Sequence, residues 1–162
     1  MIRAAWKRGF AALLLATMLV TTAFAQTSTM TEGEWWDIQL AQETFRLQRV
    51  ADPDSRRQGL MGRELAADEG MLFDFPAGTV PAIWMRNMRI SLDLVYVDDD
   101  GHIANIFSAV PPCHSMPCAI YRADRALRFV LELPAGTAGR LRLMGGQKLQ
   151  MDELLALPVP SE

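Results

Sequence analysis

The sequence of 162 residues has few of the features on which most enzymes and nucleic-acid-binding proteins depend. It holds two histidines and neither a G-x-S-x-G nor an H-E-x-x-H motif, which gives no support to serine-hydrolase or zinc-protease chemistry. Acidic residues outnumber basic ones by 19 to 16, whereas nucleic-acid-binding proteins normally carry a basic excess. No apolar run reaches the roughly 20 residues of a transmembrane helix.

The start of the chain has the pattern of a secretory signal. Three basic residues within the first eight precede an apolar run at 9–20, and Ala-Phe-Ala at 23–25 supplies the small residues of a cleavage site. We predict a signal peptide at 1–25 and a periplasmic or secreted protein with no stable membrane span. Residues 1–25 hold three of the 16 basic residues and none of the 19 acidic ones, so the remaining chain has a net charge of −6.

The chain after the signal is expected to form one domain of short strands. We divide it into a polar N-terminal segment with a possible first strand (26–42), a β domain (43–152) and a loose C-terminal tail (153–162). The run 126–134 alternates as a strand does, with Leu127, Phe129, Leu131 and Leu133 on one face. These strands and the turns between them predict a mainly β domain.

Short residue combinations in the sequence predict one hairpin turn and the start of one helix. Asp100-Gly101 between two apolar runs predicts a β-hairpin. Asp52 has the side chain of a helix N-cap and Pro53 suits the first helical position, which predicts one short helix. Gly59 and Gly62 should limit that helix to about two turns, because glycine has a low helix propensity.

Four motifs occur in a characteristic order: GLMGREL (59–65), GMLFDF (70–75), WMRNMRISLDLVYVDDDGHI (84–103) and FVLELPAG (129–136). Together they resemble the domain of unknown function family 192. The resemblance implies a compact single-domain β-sandwich, jelly-roll-like or barrel-like, and no established biochemical activity. The chain departs from the usual family pattern at four positions, with Arg86 in place of Lys, Met88 in place of Thr, Ser91 in place of Pro and Gln147 in place of Asp.

The stretch 84–93 sets polar residues among apolar ones and is our candidate binding site. We hypothesise that Trp84, Arg86, Asn87 and Asp93 line a small polar-rimmed pocket, with Trp84 as its apolar wall. The alternative is structural, because Asn and Asp side chains commonly bond to loop backbone. Under the first hypothesis the protein is a non-enzymatic binding or accessory protein, whose partner is a small ligand or another periplasmic protein.

The two cysteines enclose the loop Cys-His-Ser-Met-Pro-Cys. In an exported protein an even cysteine count favours a disulfide, here Cys113–Cys118, with no cofactor or metal required. The alternative is a copper site, because Cys113, His114, Met116 and Cys118 are soft ligands that suit Cu(I).

An enzyme would need a different set of residues. A hydrolase could use two carboxylates as an acid and base pair, and Asp93 with Glu132 is the best candidate. Glu132, however, lies in an alternating strand whose outward face is expected to be polar. We therefore expect no catalytic residues.

Overall fold

The computed structural model describes residues 34–161, which form a mainly β domain with three short helices. In chain order the elements are β1 (Trp35–Leu40), β2 (Glu43–Val50), α1 (Pro53–Gln58), β3 (Glu69–Asp74), β4 (Ala82–Trp84), β5 (Leu92–Val97), β6 (Ile103–Val110), β7 (Ile120–Arg122), β8 (Phe129–Pro134), α2 (Thr137–Arg140) and α3 (Asp152–Leu155). The prediction of a mainly β class is confirmed. Where one short helix was expected, α2 and α3 add a turn of helix each. The predicted signal peptide, 1–25, lies outside the described residues.

Six strands form one sheet in the order β1-β2-β3-β8-β5-β6, and β4 pairs with β7 in a separate two-stranded sheet. All neighbours are antiparallel except β2 and β3, which are parallel and are connected through α1. Parallel neighbours need a crossover connection, and this crossover places α1 outside the plane of the sheet. The hairpin predicted at Asp100-Gly101 is confirmed, since β5 and β6 pair around it.

Both faces of the central strands are covered, so the core has two parts. On one face Val95 and Leu131 belong to the first core, with residues of β1, β2, α2 and α3. On the opposite face Leu94 and Val130 belong to the second core, with Ile83 of β4 and Leu60, which follows α1. Strands buried on both faces read as nearly continuous apolar runs, which explains the sequences of β3, β5 and β8.

Helix α1 begins as its sequence predicts. The Asp52 side chain accepts hydrogen bonds from the backbone N–H groups of Asp54 and Ser55, and Pro53 occupies the first helical position. The helix ends at Gly59, whose φ of 49° suits a residue without a side chain. The two-turn limit predicted from the glycines is confirmed.

Two of the predicted boundaries need correction. Strand β1 pairs with β2 along its whole length, so the β domain begins before residue 43. The tail is not loose at its start, because Leu154 of α3 is completely buried in the first core. The Arg128 guanidinium also donates hydrogen bonds to backbone carbonyls of the tail, including that of Leu157 at 3.0 Å. Among residues 34–161 no helix is long and apolar enough to cross a membrane.

Candidate functional site

A cavity of about 290 Å³ lies between α1 and β4, over the second-core face of the large sheet. Its volume is at the small end of the range for ligand pockets, roughly 300–1,000 Å³. Most of its lining is apolar or aromatic. The residues that line it are Pro53, Arg56, Arg57, Gln58, Gly59, Leu60, Met61, Phe73, Phe75, Ala82, Ile83, Trp84, Met88 and Glu132.

The fold positions the walls of this cavity from three directions. The crossover between β2 and β3 brings α1 and Leu60 to one side, and β3 contributes Phe73, whose ring stacks with Phe75 at 6.0 Å between centroids. Strand β4 closes the other side with Trp84. The hydroxyl of Tyr96 on β5 donates a 2.6 Å hydrogen bond to the carbonyl of Tyr121 on β7, which ties the small sheet to the large one.

Glu132 is the most deeply buried of the ionisable residues that line this cavity. It lies on β8, between Met71 of β3 and Leu94 of β5 in the sheet register, and it is only 3% exposed. Its Oε2 atom is buried without a hydrogen-bond partner. Burial raises the pKa of the Glu132 carboxyl to about 8, because the charged form loses its hydration. The pKa of Tyr96 is also raised, first by burial and then by the nearby Glu132 charge.

Asp74 and Asp93, the other two carboxylates buried within residues 34–161, have the partners that Glu132 lacks. Asp74 is completely buried and accepts hydrogen bonds from two guanidinium groups, at 2.8 Å from Arg49 and 3.0 Å from Arg128. Asp93 is also completely buried and fills both carboxylate oxygens with backbone N–H donors. Buried polar groups normally have partners, so the isolated oxygen of Glu132 needs a specific explanation.

The position of Asp93 corrects our predicted pocket. Its Oδ1 accepts from the N–H groups of Ala109 at 2.7 Å and Gly136 at 3.1 Å, and its Oδ2 accepts from the N–H of Ala138 at 2.7 Å. Along β5 the side chains alternate, so Asp93 projects into the first-core side while Leu94 faces the second. Asp93 therefore supports the backbone at the end of β6 and at the start of α2, and it does not line the cavity with Trp84.

Of the other three predicted pocket residues, Trp84 alone lines the cavity. Trp84 is half-buried and lines it. Arg86 is exposed, with its guanidinium carbon 5.5 Å from the centre of the Trp84 ring. Asn87 is exposed and has a φ of 57°, and its carbonyl accepts a 3.0 Å hydrogen bond from the N–H of Gly62. Neither Arg86 nor Asn87 lines the cavity as predicted, because both side chains are exposed in the loop that follows β4.

The proposed acid and base pair is not formed. Asp93 pairs with Leu133 and Glu132 with Leu94 across β5 and β8. Directly paired residues project on the same face of a sheet, and Leu133 and Leu94 belong to opposite cores. The two carboxyl groups are therefore on opposite faces, which removes the pair on which the hydrolase alternative rested.

The predicted disulfide between Cys113 and Cys118 is confirmed, with 5.8 Å between the two Cα atoms. The backbone N–H of Cys113 donates to the carbonyl of Met85 at 2.8 Å, so the loop is attached next to Trp84. Sulfurs bonded to each other are not available as thiolate ligands, which weakens the copper alternative. Within 34–161 no three His, Cys, Asp or Glu side chains are placed to hold a metal ion together.

Glu132 is the residue of this site that our sequence reasoning misplaced. We expected it on a polar outward face, whereas β8 lies between β3 and β5 and is covered on both faces. The composition of the strand could have shown this. In Phe-Val-Leu-Glu-Leu, apolar residues occupy positions that project to both faces, which is typical of a strand buried on both faces. A lone glutamate in such a strand is expected to be a functional or unusual group.

The fold and the cavity together define a small, mainly β domain with a pocket of ligand size. The model of the DUF192 family, described as "Uncharacterized ACR, COG1430", matches residues 37–151, and the chain belongs to this family. The resemblance seen in the sequence motifs is thereby confirmed.

Two solved structures are similar to this chain. One, from Sinorhizobium meliloti 1021 and described as a "putative transcription regulator", is 38% identical with a TM-score of 0.62, over 67% of this chain and 82% of its own. The other, a protein of unknown function from Novosphingobium aromaticivorans DSM 12444, is 26% identical with a TM-score of 0.69, over 76% of this chain and 89% of its own. No curated protein matches the chain.

Proposed function

We propose that this protein is exported and acts as a non-enzymatic binding protein for a small, largely apolar ligand held in the cavity beside Trp84. The observation that carries the proposal is the combination of an apolar cavity of about 290 Å³ with one buried carboxyl oxygen that has no partner. Apolar pockets with a small number of convergent polar groups are the usual form of small-molecule sites. Arg86 and Asn87, exposed in the loop that follows Trp84, are candidate contacts for a part of the ligand that extends out of the cavity.

Among residues 34–161 no second acidic residue or histidine lines the cavity beside Glu132, which supports binding rather than catalysis. General acid and base chemistry at a carboxyl normally needs a second group within hydrogen-bond reach of the reacting atoms. Glu132 shares the cavity with arginines and apolar residues, and Asp93 lies on the other face of the sheet. A single neutral carboxyl can hold a ligand by a hydrogen bond without reacting with it.

Nucleic acid is not among the partners that we propose. One structural relative is described as a "putative transcription regulator", but residues 26–162 of this chain carry a net charge of −6. Binding to DNA depends largely on neutralising phosphates with basic residues, and such an acidic chain is poorly suited to that. We propose instead a small ligand, or a periplasmic protein that receives it.

Binding of an uncharged fluorescent probe tests the proposal. N-phenylnaphthylamine, whose emission rises in apolar surroundings, should bind to residues 26–162 with one site per chain. Trp84→Ala should weaken binding by about tenfold or more, because it removes an aromatic wall of the cavity. The measurement is a fluorescence titration at neutral pH.

Trp35→Ala is the matched control for this titration. Trp35 is half-buried like Trp84, but it lies on the edge strand β1 and does not line the cavity. We expect it to leave the dissociation constant of the probe within about twofold, well under the 1.4 kcal/mol that a tenfold change represents. Equal weakening by the two substitutions, or no binding by the unsubstituted protein, would contradict the proposed site.

The proposed export can be tested independently of ligand binding. The full-length chain expressed in a Gram-negative host should be recovered from the periplasm with Gln26 as its first residue, because the charged start, short apolar run and Ala-Phe-Ala site direct cleavage there. Intact-mass measurement of the periplasmic fraction gives the result. A mass that still includes residues 1–25 would show that the segment is retained.

A further inference from the structure

The buried carboxyl groups of this domain differ in how their oxygens are used. Asp74 receives two guanidinium groups, and Asp93 receives three backbone N–H groups. Glu132 is also buried, but it lines a cavity and its Oε2 has no partner. A buried oxygen without a partner costs about 1–3 kcal/mol, and a folded protein rarely retains that cost without a use for the atom.

We infer that the ligand of this cavity carries an uncharged hydrogen-bond donor, such as a hydroxyl or amide N–H, on an aromatic or aliphatic body. The donor completes the hydrogen bonding of Glu132, and the body lies against Phe73, Trp84 and Met88. This inference rests on the proposed function, because it assigns the chemical class of the ligand to the same cavity.

The charges around the cavity favour an uncharged donor over a cation. Arg56 and Arg57 of α1 line the same cavity as Glu132, so a ligand cation would face two like charges. The Arg56 guanidinium donates to the carbonyls of Ala51 and Asp74, and that of Arg57 pairs with Asp54. Both arginines are thus held in place by other groups. The raised pKa of Glu132 agrees with this, because a protonated carboxyl presents no charge for a cation to neutralise.

The shape of the lining indicates how such a ligand lies. Glu132 is in the central strand β8, whereas Arg57 is in the helix that covers the sheet, with its side chain 71% exposed. The donor group therefore lies at the sheet and the apolar body extends outward between Phe73 and Trp84. A site that places a buried polar group against a ligand hydroxyl discriminates strongly against the analogue that lacks it.

Four compounds with one common body test the inference. Naphthylmethanol, methylnaphthalene, naphthylmethylamine and naphthoate, all substituted at the same ring carbon, present a hydroxyl, no polar group, a cation and an anion. Each is titrated against residues 26–162 by displacement of N-phenylnaphthylamine at neutral pH. We expect naphthylmethanol to bind at least about tenfold more tightly than methylnaphthalene and than either charged compound.

Two substitutions assign that preference to Glu132. Glu132→Leu should reduce the ratio of the hydroxyl to the methyl compound to about one, because no polar group remains to receive the hydroxyl. Glu132→Gln should retain a preference, because its amide can still form a hydrogen bond. Cooperative thermal unfolding establishes that each variant is folded, and Trp35→Ala should keep the full preference.

The possible results distinguish an error in the inferred ligand class from an error in the proposed binding site. Tighter binding of the amine would replace the neutral donor with an ion pair, and tighter binding of naphthoate would indicate an arginine-bound anion. Equal binding of the hydroxyl and methyl compounds would overturn the inference, as would a preference that Glu132→Leu leaves intact. In each of these cases displacement of the probe still supports the proposed function, whereas failure of the probe to bind at all overturns both.

Discussion

We expect the melting temperature of Glu132→Gln, relative to that of the unsubstituted protein, to be about 10 °C higher at pH 9 than at pH 5. The pKa of Glu132 is about 8 in the folded protein and ordinarily 4.5 for a glutamate in water, so the folded state binds the proton more tightly than the unfolded chain. Stability from this group is therefore fully present below pH 4.5 and is lost as pH rises through about 8. The change amounts to roughly 4 kcal/mol, and a domain of this size shifts by about 3 °C per kcal/mol.

Glutamine isolates this effect because it has nearly the same shape and cannot ionise. Any constant cost of burying its amide appears at every pH and cancels when the two ends of the range are compared. Glu153→Gln, at an exposed glutamate of α3, is the matched control and should show no such change with pH. The measurement is thermal unfolding followed by circular dichroism. A difference between Glu132→Gln and the unsubstituted protein that stays constant from pH 5 to pH 9 would show that the carboxyl is not desolvated as described.

Asp93→Ala should lower the free energy of unfolding by about 4 kcal/mol or more. The substitution leaves the backbone N–H groups of Ala109, Gly136 and Ala138 without their acceptor in a buried position. Each such group costs about 1–3 kcal/mol when it loses its partner. The expected result is a loss of more than 10 °C in melting temperature, measured at neutral pH.

Two further variants make this prediction specific. Asp93→Asn keeps one acceptor oxygen but sets its amide N–H groups against at least one backbone donor, so it should cost an intermediate amount even if Asp93→Ala fails to fold. Asn87→Ala should cost only about 1 kcal/mol, because the Asn87 side chain is exposed and alanine merely tolerates its positive φ less well. Urea unfolding gives all three values. Similar losses for Asn87→Ala and Asp93→Ala would mean that the 84–93 stretch acts as one unit.

These two predictions concern carboxyl groups in adjacent strands that have opposite consequences for the fold. Asp93 accepts hydrogen bonds from backbone N–H groups at the end of β6 and at the start of α2, so it stabilises the domain. Glu132 opposes folding when it is ionised, because it is buried without compensation. Groups that reduce stability without an evident structural benefit are characteristic of functional sites, where stability is exchanged for activity. The contrast is the reason for assigning the site to Glu132.

Local features of the fold could be predicted because they depend on neighbouring residues. The Asp52-Pro53 pair starts α1, since a side-chain acceptor and a fixed φ act within one turn of helix. The Asp100-Gly101 turn joins β5 and β6, and the export that we predict from residues 1–25 favours the Cys113–Cys118 disulfide. The four sequence motifs can also be read directly from the chain, and their order identifies the family.

The candidate site could be predicted only in part. The sequence pointed to Trp84 because aromatic side chains are common in ligand pockets, and the structure places this residue in the lining of a cavity. Asp93 was misplaced since only the alternation of β5 between two covered faces decides which core it enters. Glu132 was misplaced for a related reason, because the alternation in its strand does not show that both faces of the sheet are covered.

The sequence by itself determined the mainly β class of the fold, the start of α1, the β5–β6 hairpin and the pairing of the cysteines. Each of these depends on residues close together in the chain. Only the tertiary structure decided the parallel pairing of β2 with β3, the insertion of β8 between β3 and β5, and the cavity that follows from them. The backbone N–H groups that donate to the Asp93 carboxylate belong to Ala109 and Ala138, which lie 16 and 45 residues after Asp93 in the chain. Contacts over such separations depend on which strands pair, and neither spacing nor propensity specifies that.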